Sequence, residues 1–473
     1  MPVDLVVEAM DEAMLSTSSA SSRAGSASPE HSRVSAWLNQ DRRRSLRTAW
    51  QALWWSRAVV WASGLVAIAA VGTKETSAAR FDAPGLTRPF GAFGDAIVGP
   101  AARWDSHWFL TIADEGYGGE PQRAAFFPLY PLLVRVLGAL GSPLVAGIAV
   151  SMVATFAALY LLDRLATLEL GPEAARRSVL LLAFFPTALF LSAVYAEALF
   201  LALAVGTMYF GRTQRWALAG VCGMLAAATR SSGLLLLVPL AVLYLYGPRE
   251  DEVRARGETD ARGEPGAREK PGARRGTGRA APWRPRYPVR GDVLWLGLVP
   301  LGLAAYLLFL QHSIGDAFAP FAAEAAWKRH FTGPLGGVWE GTVAAADALR
   351  ALITGDRADT WLQIVGNDVP VPRYNLLQYA FLLVAIPATI GVLRRLPAAY
   401  GAYTLVMLAL PLSYPSGSQP LISLSRFVLV IFPFFMWLAL WTHERRLDRW
   451  ALGASALLLA LFSVQFSTWE WVG

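Results

Sequence analysis

Eleven apolar runs, separated by loops of which every second one is basic, constrain the architecture of this chain more than any other feature. They lie at about 50–71, 144–162, 179–194, 195–210, 216–229, 234–246, 293–310, 376–393, 398–412, 427–441 and 450–466. A helix of ~20 apolar residues crosses the hydrocarbon core with its backbone polar groups satisfied internally, and some of these runs fall short of that length. The pattern predicts an all-α polytopic membrane protein with about eleven transmembrane helices. Only 16% of the residues are charged, against roughly 25% in an ordinary soluble domain, so the net charge of +7 is not a nucleic-acid signal. The basic residues instead collect in alternate loops: Arg164, Arg176 and Arg177; Arg212 and Arg215; the stretch 249–290; Arg394 and Arg395; Arg445, Arg446 and Arg449. Cytoplasmic loops carry such an excess. The N-terminus is therefore expected inside, with the segments 72–143 and 311–375, the turns near 195, 231 and 413–426, and the C-terminus outside.

Residues 1–49 are rich in Ser, Ala and Gly, carry no cleavable signal pattern, and end in a basic cluster. They read as a disordered cytoplasmic tail. Residues 247–290 are rich in Gly, Pro and mixed charge and read as a disordered cytoplasmic linker. The linker divides the chain into a 50–246 module, with the outer loop 72–143, and a 291–473 module, with the outer loop 311–375. A single cysteine, Cys222, excludes a disulfide framework.

Between the first two runs stands RWDSHWFLTIADEGY, residues 103–117. Trp104, Trp108 and Ile112 recur at i, i+4 and i+8, and Gly116, Gly118 and Gly119 stop the pattern. That spacing predicts a short helix lying flat at the outer membrane surface, with tryptophan at the headgroup boundary. Asp105 opens it. It reads either as an N-cap or as a working carboxylate, and the two are compatible because a helix N-terminus favours the ionised form. Pro128 and Pro131 in AAFFPLYPLLVR predict a second surface or re-entrant helix. Tyr130 there faces either a sugar or the interface.

The other polar residues that resist a packing explanation fall in the same outer segments. Glu197 sits near an outer helix end, where a carboxylate must face water, protein or substrate. Arg230 and Arg426 run against the charge bias, and a guanidinium fork suits a phosphate, on a substrate or on ordinary lipid. Arg103, His312 and Lys328 are further candidates for that phosphate, and Trp104, His107, Trp108, Tyr130 and Glu197 for sugar or acceptor. Gly and Pro in the long loop after His312 suggest a folded lid. Phosphate-binding glycine loops and nucleophile elbows are absent, and five histidines are too few for a His-rich metal site. No cofactor or metal is expected.

The blocks WDSHWFLTIADEGY, AFFPLYPLLVR, FFPTALFLSAVYAEALF, ATRSSGLL and SLSRFVLVIFPFF resemble, in the same order, those of the PIG-V-like mannosyltransferases. Phe109 stands where Tyr is expected and Ser232 where Asn is. The resemblance implies a GT-C glycosyltransferase with an outer-face site, Asp105 matching the catalytic aspartate of the first outer loop. It also implies a polyprenyl-phosphate mannose donor, inversion at the anomeric carbon, and a glycolipid, glycan or protein acceptor. The Ala, Arg and Gly bias points to a bacterial homologue in the plasma membrane. The partners expected are thus that donor, an acceptor and membrane lipids, without nucleic acid. A flippase for a lipid-linked sugar is the rival, and it should show related halves with a polar path at the midplane.

Overall fold

The computed structural model describes residues 29–72, 82–249, 285–354, 361–364 and 367–472. Its elements are nearly all helical, with one short antiparallel hairpin pairing Trp361–Ile364 with Asn367–Pro370. Five helical stretches are long and apolar enough to cross a membrane: Gln40–Val71, Pro143–Leu170, Gly291–Ile314, Arg373–Arg395 and Asp448–Ser467. Shorter apolar helices, among them Trp216–Ala227 and Ala398–Ser413, complete the bundle. The protein is an all-α, multi-pass membrane protein.

Several elements differ from the sequence expectation. The first run belongs to a helix that starts at Pro29, so residues 29–49, read above as tail, continue it. Residues 1–28 and most of the linker, 250–284, lie outside the described residues. The 179–194 run is not one span, because its helix stops at Ala183 and Pro186 lies in the irregular stretch that follows. Similarly, the 427–441 run breaks between Leu424–Leu429 and Phe432–Glu444.

Irregular backbone at membrane depth must find partners inside the protein. Around 184–196 it does. The buried Arg57 donates Nη1 to the Ala188 carbonyl at 2.7 Å and to Ser192 Oγ at 2.8 Å, and Nη2 to the Ala183 carbonyl at 3.3 Å. Ser151 Oγ donates to the Ala193 carbonyl at 2.7 Å, and the Val194 N–H donates to the Ala101 carbonyl at 2.9 Å. The break thus becomes a fixed platform that ends at Tyr195 and Glu197.

Glycine sets the closest helix approaches. A Cβ on Gly302 would lie 1.9 Å from the Met224 carbonyl oxygen, and one on Gly337 2.0 Å from that of Leu412. The second contact docks the Gly333–Thr354 helix of the long loop onto Ala398–Ser413.

Candidate active site

The Ser106–Glu115 helix is covered by protein on more than one face. Trp108, Phe109, Leu110, Ile112 and Ala113 are all buried, because apolar residues occupy more of its circumference than one stripe. Phe109 packs edge-on against Phe126 and Tyr130, and Trp108 stacks on Phe126 at 5.7 Å. Leu129–Gly138 is the surface helix, with Leu132 and Val136 exposed and Tyr130 and Val134 buried.

Asp105 occupies the N-cap position without capping. Its carboxylate turns to Arg426, whose Nη1 donates to Oδ2 at 2.6 Å. Two contacts fix the backbone behind it: the Asp105 N–H donates to Tyr195 Oη at 3.0 Å, and that hydroxyl donates to the Arg103 carbonyl at 3.1 Å. The preceding residue, Trp104, has φ +54°, a strained value for a bulky side chain and one that recurs at functional sites.

Arg426 is held from all sides. Nη2 donates to Ser423 Oγ at 3.1 Å, and Ser423 itself has φ +63°. Its guanidinium carbon lies 5.5 Å from the ring centres of Phe190 and Tyr195 and 5.4 Å from that of Trp471. Nε is buried and has no hydrogen-bond partner among the described residues; it lies 3.9 Å from Glu197 Oε1. Burial opposes the positive charge, but Asp105, Glu197 and Tyr195 outweigh it and raise the guanidinium pKa above its ordinary value. Glu197 also accepts from Arg230 Nη1 at 2.7 Å.

These groups line a cavity of about 500 Å³ together with Trp104, Trp108, Arg329 and Trp471. Its walls come from the segments around 105, 126, 196, 230, 325, 414, 426 and 471, the ones the loop charges assign to a single side. Ion pairs at the far ends of the same helices form a separate group. Arg212, at the opposite end of Glu197–Arg212 from Glu197 and roughly 22 Å from it along the helix axis, binds Glu169 at 2.5 Å.

The structure brings together Asp105, Arg426, Arg230, Glu197, Trp104 and Trp108. The remaining candidates do not line the cavity. Arg103 points away from it, is buried, and donates Nε to the Ser467 carbonyl at 3.2 Å; burial pushes its pKa down to about 10. Tyr130 is fully buried and donates to the Gly147 carbonyl at 2.9 Å. His107 packs at a tilt against Trp108, 5.3 Å between ring centres, outside the lining, and burial lowers its pKa. His312 is exposed at the end of its helix. Lys328 is exposed in a left-handed turn, φ +52°, which sends the next residue inward in its place.

That next residue, Arg329, lines the cavity and was missing from the phosphate candidates. It pairs with Glu324 at 3.1 Å, and its turn forms a β-bridge to Ser416. Burial holds its pKa below the ordinary value; Glu324 opposes that, and the like charges of Arg426 and Arg230 reinforce it. Trp471 was missed too, since tryptophans beyond the last apolar run look like interfacial anchors.

Residues 74–244 match the family described as Mannosyltransferase (PIG-V). The chain is similar to GPI alpha-1,6-mannosyltransferase 2 of Rattus norvegicus, with 36% identity over 154 residues, covering 30% of this chain and 31% of that protein. The Mus musculus protein of the same name is 36% identical over 156 residues, with the same shares covered. The match thus spans about a third of the length of these curated relatives. Among solved structures, the Archaeoglobus fulgidus oligosaccharyltransferase tethered with an acceptor peptide matches 88% of this chain and 55% of its own, with 12% identity and a TM-score of 0.37. The archaeal oligosaccharyltransferase AglB in complex with an inhibitory peptide and a dolichol-phosphate matches with a TM-score of 0.35 over the same shares.

Proposed function

We propose that the chain, whose residues 74–244 match the PIG-V mannosyltransferase family, is a GT-C glycosyltransferase. It moves mannose from a polyprenyl-phosphate donor to an acceptor hydroxyl on the outer face of the plasma membrane. The observation that carries this reading is the 2.6 Å pair of Asp105 and Arg426 in the wall of a sugar-sized cavity.

In this reading the acceptor oxygen attacks C1 of mannose from the face opposite the phosphate. The C1–O bond to phosphate breaks with its electron pair, Asp105 takes the acceptor proton, and the configuration at C1 inverts. The lipid phosphate leaves as a stable anion and needs no acid. Arg426, Arg230 and Arg329 stabilise the charge growing on it, a preorganised site that does not reorganise during the step. Arg426 reaches the cavity wall with its charge held by Asp105 and Glu197, and a guanidinium fork so placed suits such an anion. A phosphate there competes with Asp105 for the guanidinium, which frees the carboxylate to act as base once the donor is bound.

The test uses the purified full chain in proteoliposomes with radiolabelled polyprenyl-phosphate mannose and a membrane extract. A new mannosylated product that depends on Asp105 supports the reading. Movement of the donor across the bilayer without product replaces it with a flippase.

A further inference from the structure

Resting on the hexosyl-transfer reading, we propose that Trp471 is a binding residue whose indole face takes the apolar C–H face of the transferred hexose. The residue lies outside the segment 74–244 that the family match covers. It lines the same cavity as Asp105 and is partly buried there. Its ring meets that of Trp104 edge-on, with centroids 5.2 Å apart at 72°, and lies 5.4 Å from the Arg426 guanidinium carbon.

The backbone is bent to bring the ring there. After the helix Asp448–Ser467 the chain turns through Trp469 at φ +65°, a conformation that a bulky residue keeps only where its surroundings impose it. Arg103 sits over the Trp469 ring at 4.9 Å, and the Ser425 hydroxyl donates to the carbonyl of the buried Val472 at 3.4 Å. Trp471 is thereby fixed from both sides and packs beside Tyr374 and Ile422. A rigid ring next to the carboxylate and the cation suits a group with one apolar face and a rim of hydroxyls. A pyranose has that form. The lipid phosphate does not, and the arginines serve it instead.

This division of labour gives the test. Donor KM is measured for the wild type, Trp471→Ala, Trp471→Phe and Trp471→Leu, alongside inhibition by sugar-free polyprenyl phosphate. Trp471→Ala should raise the donor KM by about tenfold and leave inhibition by polyprenyl phosphate unchanged, with Trp471→Phe in between. Trp471→Leu keeps apolar bulk without a ring face and decides the matter if Trp471→Ala does not fold. Equal weakening of donor and polyprenyl phosphate would mean that Trp471 only buttresses Arg426, and an unmoved donor KM would remove it from the site; either overturns the inference while transfer itself stands. Absence of transfer by the wild type sinks the hexosyl-transfer reading and this inference with it.

Discussion

Asp105 and Arg426, 321 positions apart in the chain, meet at 2.6 Å, and neither side chain is more than a fifth exposed. Each depends on the other, for an isolated charge at this depth would be costly. Arg426→Gln should therefore destabilise the protein by about 3–5 kcal/mol, and adding Asp105→Asn should restore part of that loss. Thermal unfolding of the two single variants and the double variant measures the coupling. Simple additivity would deny that the pair acts as a unit.

For turnover the expectation is simpler. Asp105→Asn keeps the side-chain shape and removes the proton acceptor, and Arg426 retains Glu197 at 3.9 Å as a countercharge, so transfer should fall by ~10²- to 10⁴-fold while the protein remains folded. Product formation at saturating donor, compared with circular dichroism, checks it.

Tyr195 lines the cavity, and its hydroxyl ties Asp105 to Arg103. Tyr195→Phe should lower kcat and leave donor KM nearly unchanged, because the cation stays in place and only the base loses its alignment. A change confined to KM would assign the hydroxyl to donor binding.

Gly302 lies where a methyl group would strike the Met224 carbonyl oxygen. Gly302→Ala should force the two helices apart and lower stability by about 1–3 kcal/mol. Gly453, whose added Cβ meets nothing within 4 Å, is the control. The melting temperatures of the two alanine variants should separate accordingly.

His107 supplies a dependence on pH. Burial lowers its folded pKa below the ordinary 6.5, so the folded state favours the neutral ring. Above pH 6.5 neither state holds the proton. As pH falls below it the unfolded chain binds protons first, and stability drops until the folded ring titrates as well. His107→Asn should flatten the melting temperature between pH 5 and 7, and an unchanged slope would assign the effect to other groups.

Much of this is legible in the sequence. Most of the apolar runs correspond to helices, the alternating arginines group the segments that share a cavity, and Glu197, Arg230 and Arg426 stand out because charge near a bilayer needs a cause, as Asp105 does at the head of its aromatic segment. The choice between neighbours was not readable. Lys328 and Arg329 have equal claims in a sequence, and only the left-handed turn at Lys328 decides which faces in. The helix break after Ala183 depends on a remote donor, Arg57, that periodicity cannot anticipate. The cover on the amphipathic helix is hidden in the same way: Trp108 and Phe109 look interfacial in the sequence, and Phe126 and Tyr130 pack over them.

The two ends of the 250–284 stretch are clasped together. Arg249 lies 4.1 Å from the Tyr287 ring centre, and the N–H groups of Arg286 and Tyr287 both donate to the Leu245 carbonyl. Whatever length of chain runs between them begins and finishes at one buckle. A fluorescent protein or a crystallisation chaperone spliced in at that point would ride on the bundle without prying apart the helices that bear Asp105 and Arg426.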